Sequence, residues 1–288
     1  MTQSGTGITS ATLIKAKVPV VSGVYCARTF PSMSKQKLCA GHSVEGGVDT
    51  CVGEGGGQLL CNKHGYYTLD GIISYGKSCA LAGFLTVYSK VCKVLPWIQS
   101  HINSPSVTKP TPIAIPKTTP RSTTTTLVPM KNIDGCGVGT YNQDKGPFTK
   151  EAEFPWHILL YIFARLKRTY SFCGGVVVKN EWILTAGHCC QQVFEPSDIT
   201  INFSSDGSTT FATSFSAPAI DMIIHPEFNF ARGYNDFCLL KPKSNIYKLM
   251  LKSVYYYRLF FSTKCLEAGV CSHQTCVYTR KMYRFMYR

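Results

Sequence analysis

Acidic side chains are scarce in this sequence: 16 Asp and Glu stand against 30 Lys and Arg in 288 residues, a formal charge of +14. The imbalance is not spread evenly. It lies mainly in a Thr/Pro-rich middle with Lys109, Lys117 and Arg121, and in the tail after Asn245, where Lys252, Arg258, Lys281 and Arg288 accompany a single acid, Glu267. Nucleic-acid binding needs a concentrated basic face with aromatic platforms, so no nucleic-acid partner is expected. Long apolar runs are also missing; none approaches the roughly 18 residues of a spanning helix, and no membrane partner is expected. The opening MTQSGTGITS has neither a basic nor an apolar region, so no signal peptide is visible. Paired CxxC spacing is absent too, which excludes a zinc ribbon. No metal or other cofactor is expected.

Cysteine is plentiful: the chain has 14, a usage that points to an oxidising, extracellular compartment. Hydrophobic residues make up 44%, enough for a core. Short apolar runs broken by Gly and polar turns predict many short strands rather than a helical bundle. Residues 104–131 read as an extended Pro/Thr-rich linker, either an O-glycan-bearing stalk or a plain spacer. Residues 1–103 and 132–245 flank it, and 246–288 form a basic tail with little turn grammar, for which no structure is expected.

In the first segment, KVPVV and LDGIISYG read as strands, and VLPWIQSHI, with Leu95, Ile98 and Ile102 at helical spacing, reads as a closing helix. In the second, strands are expected from Trp156 to Phe163, Cys173 to Val178, Trp182 to Ala186 and Asp236 to Leu240. An antiparallel barrel suits this pattern.

The chemistry-bearing stretches are SFCGGVVVKNEWILTAGHC and IIHPEFNFARGYNDFCLLK in the second segment, and KLCAGHSVEGGVDTCVGEGGGQLLC with LDGIISYGKSCALAGFLTVYSKVCKVLPWI in the first. Taken singly, a histidine in an apolar context or a turn entering a strand is usually structural. Together these stretches resemble the trypsin/chymotrypsin (S1) serine protease family, over about Thr12 to Asn103 and Cys136 to Lys243. The resemblance implies an all-β fold of trypsin-like antiparallel barrels, with the nucleophile half first and a short helix closing it. Because the halves stand in reversed order and the opening strand of the nucleophile barrel looks clipped, two incomplete barrels from tandem domains are expected. The alternative is a permuted pair docking as one double barrel.

The resemblance assigns His188 to the general-base position and Asp236 to the carboxylate that orients it. The nucleophile core, Gly-Asp-Ser-Gly-Gly-Pro in the family, reads Gly53, Glu54, Gly55, Gly56, Gly57, Gln58 here, so Gly55 stands where the serine belongs. An attacking hydroxyl is therefore missing, and losing it costs on the order of a millionfold in turnover. Backbone N–H groups of Gly53 and Gly55 remain for an oxyanion pocket. Asp49 occupies the position that binds Arg or Lys side chains, Ser74 and Gly76 match the substrate-pairing strand, and Thr86, with Leu85 before it, replaces a small residue of the pocket wall and is expected to crowd it. NQDKGPFTKEA before EFPW lacks the Ile-Val-Gly-Gly type terminus, which argues against zymogen-style activation.

By the same resemblance, disulfides are expected between Cys26 and Cys39, Cys51 and Cys79, and Cys173 and Cys189, leaving Cys61 and Cys92 without partners. A fourth, Cys190 to Cys238, follows if the histidine and aspartate positions meet. Cys265, Cys271, His273 and Cys276 are read as part of an unstructured tail rather than a zinc site. The Asn202 sequon implies surface exposure. The function expected is that of an extracellular, non-catalytic protease homologue acting by binding a protease or its substrate. The alternatives are a trypsin-like endopeptidase whose serine-bearing segment lies elsewhere, or a truncated gene product.

Overall fold

The computed structural model describes residues 13–31, 33–41, 55–63, 66–76, 85–102, 154, 156–179, 181–204, 214–244 and 275–280. Its first segment supplies β1 (Ile14–Val21), β2 (Lys37–Ala40), β3 (Gln58–Lys63), β4 (Tyr66–Gly76) and β5 (Thr86–Lys90), with helices α1 (Gly23–Thr29) and α2 (Leu95–Ile102). The second supplies β6 (His157–Ala164), β7 (Thr169–Lys179), β8 (Trp182–Thr185), helix α3 (Gly187–Cys190), β9 (Ile199–Ser204), β10 (Ser214–Ile224) and β11 (Cys238–Pro242). A last strand, β12 (Thr275–Arg280), comes from the tail.

These strands close two barrels, ordered β1-β12-β3-β4-β5-β2 and β10-β11-β8-β7-β6-β9, and every pairing is antiparallel. The fold class is the one the resemblance implies, but neither barrel is incomplete. β12 corrects the expectation of a structureless tail. It lies between β1 and β3, with Ile14 opposite Arg280 and Leu60 opposite Val277, and fills the gap left by the clipped opening strand. The physical reason is the cost of bare sheet edges: without β12, β1 and β3 would each expose a row of unpaired N–H and C=O groups.

The second barrel encloses Ile158, Leu160, Val177, Ile183, Ile201, Phe203 and Leu240, which share one face by strand register and are essentially inaccessible to water. Alternate residues of each strand point inward, the period-2 signature visible in HILLYIFA. At the end of the first segment, α2 buries Ile98 and Ile102, as its spacing predicts. The same core cluster contains Val91, Val94, Ile98 and Ile102 of the first segment together with Trp156, Ile158 and Leu160 of the second, so the segments share one apolar interior. The expectation of separate tandem fragments is therefore corrected: the two pieces pack on each other. Asn202 is also a correction, since it is buried in β9 between β6 and β10 and its side chain is not available to a glycan.

Candidate active site

The short helix α3 presents His188 and is stapled on both sides. Cys189 bonds Cys173 of β7, and Cys190 bonds Cys238 at the start of β11. Both bridges were expected. Gly187 opens this turn because a Cβ there would lie 3.2 Å from the Phe228 ring and from the Phe237 amide nitrogen. Asp236 follows Asn235, which takes a left-handed φ of 48°. Asparagine tolerates that conformation better than most residues, and it aims the next carboxylate inward.

Asp236 is 2% exposed and receives His188 twice: the backbone N–H donates to Oδ1 at 2.8 Å and ring Nδ1 lies 2.9 Å from Oδ2. Ser74 Oγ donates to the same Oδ2 at 2.5 Å, so the strand expected to line the substrate cleft also holds the carboxylate from the opposite barrel. Burial by itself would raise the Asp236 pKa. The hydrogen bond and charge of His188, the charge of Lys37 and the Ser74 hydroxyl outweigh it and hold the group below the ordinary carboxylate value. Nδ1 thus faces a carboxylate, and Nε2 turns toward the cleft.

Gly55 stands at Nε2. A Cβ built on it would overlap Nε2 and come within 2.9 Å of Cε1, so the imidazole occupies the space a serine side chain would need. Gly56 continues the turn at φ +78°, and its Cα face abuts Thr185 Oγ1 and the Gly174 carbonyl. Gly174 N–H donates to the Gly55 carbonyl at 2.8 Å, and Thr185 Oγ1 donates to the Gly174 carbonyl at 2.7 Å. Glycines from both segments make this contact because any side chain would separate the backbones. Among the described residues the Gly55 N–H donates to no partner.

Lys37 and Ser89 were not foreseen. Lys37, 2% exposed on β2, donates from Nζ to Ser74 Oγ at 2.8 Å and to Ser89 Oγ at 2.7 Å. Burial lowers its pKa to about 8, partly opposed by the Asp236 charge. The available signal was strand phase: Lys37 is two residues from buried Cys39, and side chains at that spacing share a face.

Among the remaining expected site residues, Ser74 reaches Asp236 rather than open cleft, Gly76 is exposed at the end of β4, and Thr86 pairs with it and is fully buried beside Leu85. Asp49, Gly53, Glu54, Cys51 and Cys79 lie outside the described residues. The Cys26–Cys39 bridge is present as expected. Cys61 and Cys92, expected to be unpaired, are both disulfide-bonded; Cys61 lies opposite Cys276 of β12 in the strand register. β12 thereby places a tail cysteine on the first barrel. Cys173, His188 and Cys189 cluster tightly enough for a metal, but both sulfurs belong to one disulfide and offer no thiolate.

Two antiparallel barrels meeting at a histidine–aspartate pair define a protein of the serine peptidase class. The family model for trypsin matches residues 1–98 and 144–257, so the chain belongs to the trypsin family. It is 28% identical to rat (Rattus norvegicus) transmembrane protease serine 9 over 248 residues, 67% of this chain and 23% of that protein. It is 40% identical over 85 residues to chicken (Gallus gallus) trypsin II-P29 and 38% identical over 87 residues to Xenopus laevis trypsin, in each case about 30% of this chain. The chain spans between 23% and 34% of the length of these relatives. No helix among the described residues is long and apolar enough to cross a membrane.

Proposed function

We propose that this protein is an extracellular, non-catalytic trypsin-like homologue that acts by binding proteins, a protease or its substrate, within a proteolytic cascade. One observation carries the reading: residue 55, beside His188 Nε2, is a glycine without a hydroxyl, and the imidazole fills the place a side chain there would need. In the peptidase mechanism the base takes its proton from that hydroxyl, so the paired His188 and Asp236 have no proton to move. The Gly55 N–H, without a partner among the described residues, is assigned together with that of Gly53 to a main-chain site for a peptide carbonyl. Asp49, Gly76 and the backbone of Ser74 are assigned to substrate recognition, and Thr86 narrows the pocket for a basic side chain. The family and the disulfides support an extracellular setting.

The alternative, in which a serine-bearing segment comes from elsewhere, is disfavoured by closure of the first barrel. β3, which follows Gly55–Gly57 directly, is already paired on both sides by β12 and β4. The test is treatment of the purified full chain with an organophosphorus serine reagent and with an arginine ester. No label and no hydrolysis are expected, while a catalytically dead trypsin-like substrate complex or inhibitor is retained. Stoichiometric labelling at a serine would overturn the reading.

A further inference from the structure

We propose that Lys37 is the resident counter-ion of Asp236, weakening the His188–Asp236 pair as a base independently of the missing serine. This deepens the binding-only reading: the site is disabled at two points rather than one.

The connection is a relay of hydrogen bonds. A lysine ammonium can only donate. One Lys37 proton goes to Ser74 at 2.8 Å and one to Ser89 at 2.7 Å. With its lone pair engaged by Lys37, Ser74 has its own proton left to give, and it gives it to Asp236 Oδ2, the oxygen that also faces His188 Nδ1. Two cations, one fixed and one that would form on the imidazole, therefore compete for a single carboxylate oxygen.

Water screens little of this. Lys37, Ser74, Ser89 and Asp236 are all buried, and Gly233 and the Tyr75 ring cover the amine, the ring centroid lying 5.7 Å from Nζ. The titratable groups facing the network are Tyr75 on β4, Tyr234 in the loop before Asp236, His188 on α3 and Asp236 itself. Burial, with the charges of Tyr234 and Asp236, raises the Tyr75 hydroxyl, so it stays neutral, and Asp236 is the acid whose charge acts on Lys37. A catalytic carboxylate aids the base because it stabilises the imidazolium formed as a proton is accepted. Here that stabilisation is already spent on the ammonium. At the separations of such a relay, a second cation is worth on the order of a tenfold change in rate.

The experiment restores a hydroxyl and then removes the cation. Gly55→Ser is compared with Gly55→Ser/Lys37→Met and Gly55→Ser/Lys37→Gln in the full chain, each checked for native near-ultraviolet circular dichroism. The readout is the second-order rate of fluorophosphonate labelling as a function of pH. Lys37→Gln keeps a donor of similar reach, so it separates loss of charge from loss of packing. Both double variants are expected to label about tenfold faster at neutral pH. Gly55→Ser alone should gain rate as the pH passes about 8, where Lys37 discharges, and the double variants should lack that limb. Equal rates with superimposable profiles would overturn the proposal. So would absence of labelling in all three, because the pair would then be idle for another reason. Labelling of the unmutated chain would instead sink the binding-only reading and leave the comparison at Lys37 standing.

Discussion

Ser74 of the first barrel and Asp236 of the second, 162 residues apart in sequence, share a hydrogen bond of 2.5 Å at the centre of the cleft. Through it the first barrel helps determine the charge of a carboxylate that belongs to the second. The consequences are measurable.

Asp236 is the best-connected buried acid in the site, so Asp236→Ala should be costly. It removes the acceptor for two His188 donors and for Ser74, and leaves Lys37 without its charge partner. A loss of about 3–5 kcal/mol is expected in urea unfolding.

Acid titration should show the same group. The Asp236 pKa is lowered by folding from its ordinary value of 3.8, so its stabilisation is present above that value and lost as pH falls through the folded one. Unfolding free energy measured from neutral pH into strong acid should fall for the native chain. Asp236→Asn should lack this part of the fall; an identical acid limb in both would contradict the assignment.

Lys37 makes the opposite contribution. Its pKa is about 8 folded and 10.5 in the reference state, so the folded chain carries a penalty, complete below about pH 8, that is relieved as pH rises toward 10.5. The relief is on the order of 3 kcal/mol. The stability of native protein relative to Lys37→Met should therefore rise by that order between those pH values, as read by denaturant midpoints.

Adding a side chain at residue 55 forces His188 to move, because the Cβ and the imidazole cannot share one space. A crystal structure of Gly55→Ala is expected to show the imidazole swung away from residue 55 while Nδ1 keeps its bond to Asp236 Oδ2. Destabilisation of about 1–3 kcal/mol should accompany it. An unmoved ring would mean that the backbone of the Gly55 turn yields instead.

Removal of the Cys190–Cys238 bridge by paired alanines opens a loop of 48-residue separation, worth about 4 kcal/mol in the chain-entropy account. The short α3 turn has no long helix to hold it, so the loss should appear first as faster amide exchange at His188, before global unfolding.

Much of this was legible in the residues. His188 and Asp236 sit in stretches whose turn, strand and cysteine order are local properties, and the Cys173–Cys189 and Cys26–Cys39 pairings were implied by the family resemblance. The absence at Gly55 is equally local: a glycine has no hydroxyl in any fold. Lys37 carries no local mark of its burial, because a lone lysine in a strand reads as solvent-facing. TCVYTR in the tail carries too little pattern to declare a strand before its neighbours exist.

What the sequence determined by itself was composition of the site, the residues that are present and the oxygen that is not. Only the tertiary structure decided that the reversed halves share one cleft, that β12 closes the first barrel, and that an ammonium lies behind the carboxylate. Each of those depends on pairings between residues far apart in the chain. Barrel closure and buried charge compensation are energies of neighbours, and the one-dimensional order does not say who the neighbours are.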